Sequence, residues 1–308
     1  MLVTGASGLL GANLVLEAIE SHQVWANSLR HELRLPGVKS LRVDISDRAA
    51  VDDLIDRASP EWVVHCAAAT DVDACEMDPA MAMRLNRDMA AHMATAARAR
   101  DAAFAFISTD AVFDGERGGY DEPSEPNPVN AYGRSKLAGE RAVLAAHPRA
   151  IILRTNIYGW NAQSKRSLAE WFLERCEQGL PSPGWTDVSS TPILVNDLAG
   201  ILLRLLASGC SGTYHVIGAT CLSKHDFGRM VAIQFGFDPG LIEAAESPQA
   251  RLPALRARSL CLRGEKVEAE LGLRLPGVAE GLERFGRLRA QGWTGRLKSA
   301  LNADVAQI

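Results

Sequence analysis

Short apolar runs alternate with stretches of helical periodicity through the first half of the chain. Leu2-Val3 closes the first run, and residues 12–20 repeat apolar positions at helical spacing. The same two signatures recur downstream. Residues 23–27, 40–43, 61–66, 103–108 and 150–154 read as strands, and 47–57, 79–100 and 130–146 as helices. Continuous apolar strands separated by helices predict an α/β fold, with a doubly wound parallel sheet covered on both faces. The second half is less regular. Helices are predicted over 167–178, 197–207, 224–235, 265–271 and 278–290, and a strand over 212–217. Residues 240–257 lack clear periodicity, with Pro248 and Pro253 as breakers.

Composition narrows the class. A chain of 308 residues, 47% hydrophobic and 23% charged, is long enough for a large core. Its net charge of −4 comes with no Lys/Arg run, so neither nucleic acid nor a membrane surface is an expected partner. No apolar stretch reaches the ~18 residues of a membrane span, and the N-terminus lacks the basic start of a signal peptide. Six scattered cysteines (Cys66, Cys75, Cys176, Cys210, Cys221, Cys261) form no C-x-x-C and read as reduced thiols in a cytoplasmic protein. The dispersed histidines suggest no metal site. His65 and His215, in strand patterns, read as satisfied structural residues, and Cys66 as an apolar filler.

The candidate chemistry starts at residue 4. Thr4-Gly5-Ala6-Ser7-Gly8-Leu9-Leu10-Gly11 lies between the first strand and the first helix. Gly5 allows a tight turn, Gly8 lets backbone approach a pyrophosphate, and Gly11 lets the helix sit close to the sheet. The helix N-terminus then offers free N–H groups to phosphates. Residues 1–155 with about 191–220 therefore form the expected dinucleotide-binding domain. Residues of about 156–190 and 221–290 form a smaller, interleaved substrate lobe, and 291–308 a C-terminal tail.

Tyr132 and Lys136 lie four apart on a predicted helix and share a face. An ammonium beside a phenol stabilises the phenolate, so Tyr132 is the expected proton donor to a carbonyl oxygen. Ser108-Thr109-Asp110 follows an apolar strand, where parallel sheets present residues to ligands. There Thr109 can polarise the same oxygen, or simply cap a turn. Asn156 and Trp160 follow another strand and are candidate substrate contacts. Trp185 is a candidate for stacking on a base.

These segments resemble the extended short-chain dehydrogenase/reductases, which are built on a Rossmann fold. The resemblance is carried by the glycine motif, by residues 108–115 (Ser-Thr-Asp-Ala-Val-Phe-Asp-Gly) and by 132–140 (Tyr-Gly-Arg-Ser-Lys-Leu-Ala-Gly-Glu). Residues 67–76, Arg154-Thr155, Thr191-Pro192 and 212–215 are similar to the dTDP-4-dehydrorhamnose reductase branch. The resemblance implies a catalytic set of Thr109, Tyr132 and Lys136. It implies cofactor contacts at Gly5, Ser7, Gly8, Leu9, Leu10, Gly11, Ala67, Ala68, Ala69 and Asn86, and substrate contacts at Thr70 and Asp110. It also implies a nucleotide-linked ketone as substrate. The chain departs from that branch at Ala111, Ala257 and Arg263, so substrate contacts in the second lobe differ.

No acid follows the second strand to take a ribose 2′-OH, whereas Arg30 offers a guanidinium for a 2′-phosphate. NADP(H) is therefore the expected cofactor, with NAD(H) the alternative and a solvated Arg30 the plain reading. Asp44-Ile45 suits the adenine end, or Asp44 caps the next helix. Three reactions share such a scaffold. A dehydratase needs a second acid where Ala111 stands, and a 4-epimerase keeps NAD bound. A reductase needs only hydride and the Tyr132 proton. The regulatory β-subunit of methionine adenosyltransferase is also similar, and it implies a binding role without turnover. The Ala/Met-rich helix at 79–100 offers a face for a homodimer.

Overall fold

The computed structural model describes residues 1–301. Its strands are β1 (Leu2–Thr4), β2 (Val24–Ser28), β3 (Val38–Arg42), β4 (Trp62–His65), β5 (Ala103–Ile107), β6 (Ile151–Arg154), β7 (Ile157–Tyr158), β8 (Ser182–Trp185), β9 (Ser189–Ser190), β10 (Ile193–Leu194), β11 (Gly212–His215), β12 (Leu222–Ser223), β13 (Ile242–Ala245) and β14 (Ser259–Leu260). The helices are α1 (Leu9–Ala18), α2 (Arg48–Ala58), α3 (Val72–Met77), α4 (Pro79–Met83), α5 (Met89–Ala99), α6 (Ala131–Ala146), α7 (Leu168–Glu177), α8 (Val195–Ala207), α9 (Lys224–Gln234), α10 (Glu265–Leu271), α11 (Val278–Ala290) and α12 (Trp293–Leu301).

Seven parallel strands form the main sheet in the order β11-β6-β5-β4-β1-β2-β3. The apolar runs sit where their composition predicts. Leu2, Val3, Val63, Val64, Phe104, Phe106, Ile152 and Leu153 are essentially inaccessible, because helices cover both faces. Two cores result. One spans α1, α8, α11 and α12, and the other lies under α2, α5 and the opposite face of the sheet.

Three expectations need correction. The helix predicted at 79–100 is interrupted: Arg84–Asp88 forms a π-helical turn between α4 and α5. Gly139 explains the fit there, since a Cβ on it would collide with the Asn86 carbonyl of that turn. The segment read as a tail, with 294–308 either a loosely held helix or a frayed end, is a helix, α12, as far as residue 301, and buried Leu297 and Ala300 hold it firmly. The remainder of the 291–308 tail lies outside the described residues. Finally, Cys221 and Cys261 are not free thiols but a disulfide, which joins the loop before β12 to the end of β14. The other four cysteines are reduced.

The second lobe is built from short pieces. β9 pairs with β12 and β14, and β8 with β13. The stretch at 240–257 without periodicity holds β13 and two single 3-10 turns.

Candidate active site

Strand order reverses between β1 and β4, and a crevice forms at such a point along the carboxyl ends of a parallel sheet. Gly5 leaves β1 with φ +62°, and a Cβ there would come 2.7 Å from the Ala67 nitrogen. A Cβ on Gly11 would collide with the Gly5 carbonyl, so only glycine lets α1 lie this close to the turn. Gly8 precedes α1 and donates to Gly5 O at 2.9 Å. No side chain caps this helix. Its first N–H groups therefore stay open to an anion, in a cradle that larger side chains would fill. The residues present fit a dinucleotide pyrophosphate. Leu10 and Ile45 are buried in the core and can contribute only backbone, and Leu9 is partly buried. Ser7 is buried, and the Gln163 amide donates to its carbonyl at 2.8 Å.

Arg30 is exposed just beyond β2, and among the described residues no hydrogen bond or ion pair holds its guanidinium. Asp44 is exposed and accepts from the Ser46 N–H at 2.9 Å, which lowers its pKa. The capping alternative for Asp44 fails, because Asp47 caps α2.

Ala67, Ala68 and Ala69 follow β4 and are half-buried, with Thr70 exposed beyond them. Asn86 does not face the crevice as a bare ligand. Its side chain accepts from the Ala69 N–H at 2.8 Å and donates to the Ala69 carbonyl and to Ser135 Oγ. It thus fixes the loop that would meet the cofactor, and the π-helical turn aims it there. Ser135 is a member of this network that the sequence did not single out.

Asn130 caps α6 by accepting from the Gly133 N–H. Glu76 holds the same end, accepting from the Ala131 N–H at 2.6 Å. Thr109 accepts from the Ala111 N–H and donates to Asp110 at 3.1 Å. Thr109 also acts on the Tyr132 phenol, lowering its pKa. Asn156 donates to the second Asp110 oxygen at 2.7 Å. The structure therefore joins Thr109, Asp110 and Asn156 in one chain of hydrogen bonds, with Tyr132 near enough for Thr109 to act on it. Burial pushes Asp110 up to about 6 against the hydrogen bonds from Asn156 and Thr109.

The expected tuning of Tyr132 by Lys136 is not what the structure holds. Burial pushes the phenol up to about 12, opposed by Thr109, and Lys136 is not among the groups acting on it. The Lys136 ammonium instead donates to the Ile107 carbonyl at 2.6 Å and lies 4.0 Å from the Phe106 ring centre. Burial brings it down to about 7. The phenol is thus a protonated acid across the neutral range.

Trp160 is corrected to a core residue. Its indole stacks on Phe285 at 3.9 Å and donates to the Phe285 carbonyl. Trp185 is partly buried with the Lys224 ammonium over its ring. His65 and His215 are structural but only half satisfied. His65 bonds Thr4 and His215 the Arg263 carbonyl, while each Nε2 has no partner among the described residues. No helix of the described residues is long and apolar enough to cross a membrane.

A parallel sheet with a glycine cradle and a Tyr/Thr/Lys set at one edge defines an NAD(P)-dependent oxidoreductase of the extended short-chain dehydrogenase/reductase kind. Comparison with known proteins then gives the family. The family described as RmlD substrate binding domain matches residues 1–288, and the chain belongs to it. A probable low-salt glycan biosynthesis reductase, Agl14 of Haloferax volcanii, is 37% identical over 284 residues, covering 91% of this chain and 95% of that protein. The dTDP-4-dehydrorhamnose reductase of Mycobacterium tuberculosis is 35% identical, over 83% of this chain and 82% of its own. Among solved structures, dTDP-4-dehydrorhamnose reductase of Bacillus anthracis in complex with NADP superposes with a TM-score of 0.83. It is 27% identical and covers 93% of this chain and 98% of its own.

Proposed function

We propose that this protein reduces the carbonyl of a nucleotide-linked 4-keto sugar, such as dTDP-4-dehydrorhamnose or a related ketone, using NADP(H). The observation that carries this reading is the Thr109–Asp110–Asn156 hydrogen-bond chain, with Tyr132 acted on by Thr109, at the same sheet edge as the glycine cradle. Gly5, Ser7, Gly8 and the first turn of α1 would hold the cofactor's pyrophosphate, and Arg30 its 2′-phosphate. When bound, the cofactor supplies hydride. Tyr132, protonated at neutral pH, donates its proton to the carbonyl oxygen, and Thr109 orients that oxygen. Lys136, brought down to about 7 by burial, would contact the ribose hydroxyls. A single acid, Asp110, with Ala111 after it, favours simple reduction over dehydration.

The compartment proposed is the cytoplasm, where NADPH is available. A homodimer through α4 and α6 belongs to the same proposal, across the groove lined by Met83, Leu137, Ala142, Arg134 and Arg141.

The test is NADPH oxidation with dTDP-4-keto sugars, with Tyr132→Phe as the control. Turnover that falls by about 10²–10⁴ in the variant, with NADPH still bound, is the expected result. NADPH that binds tightly yet is consumed with no ketone would instead favour the regulatory, non-turnover reading.

A further inference from the structure

A strap of the second lobe is clasped onto the helix that carries Tyr132. Its two ends are pinned within the second lobe. The Ser247 N–H and hydroxyl donate to Asp187 at 2.8 and 2.7 Å, and the Arg258 carbonyl accepts from the Ser189 N–H at 2.7 Å. The loop between closes on itself. The Gln249 side chain accepts from the Arg256 N–H and donates to the Arg256 carbonyl, both at 3.0 Å. From 248 to 256 only Ala254 is buried, and Leu255 stands 58% exposed. Apolar packing therefore does little to hold the strap down, and its polar contacts decide where it lies.

Three of those contacts reach the nucleotide half, at consecutive residues. Asp73 accepts from the Ala254 N–H at 3.2 Å with one oxygen and from Arg256 Nη2 at 2.9 Å with the other. Between them, the Leu255 carbonyl accepts from the Asn130 amide at 2.8 Å. Asp73 is free for this because Asp71 caps α3. Asn130 is buried, and its other end accepts from the Gly133 N–H at the start of α6. One side chain thus joins the strap to the turn that carries Tyr132. Glu76, one turn further along α3, accepts from the Ala131 N–H of that same turn. The strap, α3 and the first turn of α6 are therefore tied together, and Asp73 supplies two of the three bonds to the strap.

We propose that Asp73 is a positioning residue for the reduction: it latches the strap 249–256 down, and the strap, through Asn130, fixes the Tyr132 hydroxyl at the height of Thr109. The inference rests on the reductase reading above. A proton donor works only within hydrogen-bond reach of its acceptor, and a misplacement of about 1 Å costs up to about 100-fold. With the latch open, the Leu255 carbonyl leaves Asn130. The cap of α6 is then held from one side only, and the phenol two residues on gains that freedom. The glycine cradle is built from another loop, so NADPH binding stands apart from the latch.

The experiment compares wild type, Asp73→Ala, Asp73→Glu and Arg256→Met as full chains, each also combined with Tyr132→Phe. It reads trypsin cleavage after Arg251, NADPH affinity, and kcat and KM for a dTDP-4-keto sugar. Asp73→Ala and Arg256→Met should be cut faster and lose about 10- to 100-fold in kcat, with NADPH affinity unchanged. Asp73→Glu keeps both acceptor oxygens and should restore both readouts. With Tyr132→Phe, the latch variants should add no further loss, since the latch acts through the phenol. The same loss in both backgrounds would mark a merely structural role and overturns the proposal. So does faster cleavage with full kcat, or cleavage no faster than in wild type, and either leaves the reductase reading intact. Wild-type protein that reduces no nucleotide-linked ketone overturns the reductase reading and this role of Asp73 with it.

Discussion

Arg154 grips Glu140 inside the protein, with Nε 3.0 Å from one carboxylate oxygen and Nη2 2.7 Å from the other. Ser108 donates its hydroxyl to the same carboxylate. The end of β6, the end of β5 and the middle of α6 are thus tied at one point. Lys136 stands one turn before Glu140 on that helix and Tyr132 two turns before it. The ion pair therefore sets the height of α6 against the strand ends that carry Thr109 and Asn156.

Removing Glu140 leaves a buried guanidinium without its counter-charge. Glu140→Ala should destabilise the fold by about 3–5 kcal/mol, and Glu140→Gln by less, since an amide still accepts a hydrogen bond. Urea unfolding followed by circular dichroism gives both values. Two curves matching wild type would mean that the pair contributes nothing.

Arg30 bears on the choice of cofactor. Arg30→Ala should weaken NADPH by about 10-fold or more and leave NADH nearly unchanged, because the variant loses only a charge-assisted contact to the 2′-phosphate. Fluorescence titration of each nucleotide measures this. Equal weakening of both would remove Arg30 from the selection.

Asp110 gives stability a pH dependence of definite sign. Its carboxyl titrates near 3.8 when unfolded and at about 6 when folded. Between those values the folded state keeps a proton that the unfolded chain releases, so stability falls as pH rises. Above pH 6 the full cost, on the order of 3 kcal/mol, is present. Asp110→Asn cannot ionise, and its advantage over wild type should grow across this window. Unfolding curves at about pH 4, 5, 6 and 7 test it, and parallel dependence in the two proteins counts against the shift.

The Cys221–Cys261 disulfide joins residues 40 apart. Closing a loop of that length stabilises a fold by about 2–4 kcal/mol. Cys221→Ser, or treatment with a dithiol, should lower the melting temperature accordingly. A melting temperature indifferent to reductant would show that the bond does not form in solution.

Local spacing revealed much of this molecule, and distant packing concealed the rest. The glycine turn and the Tyr132/Lys136 pair act through neighbours within one or two turns, so their spacing carries their geometry. The π-helical turn at Asn86 has ordinary helical periodicity, and the room for its Asn86 carbonyl comes from Gly139 on another helix. Trp160 follows a strand just as Asn156 does. Only Phe285, 125 residues on, decides that the indole faces the core. No motif marked the disulfide, whose partners lie in irregular segments.

The Trp293 indole donates to Asn13 at 2.7 Å, and the Arg34 N–H to the Ala300 carbonyl at the same distance. During synthesis, the flank of α1 that carries Asn13 therefore waits for α12 to leave the ribosome before it is covered. Until then the emerging Rossmann half presents an open apolar flank. This protein depends on late closure, and a nascent chain stalled short of α12 would be a substrate for chaperones rather than a working half-enzyme.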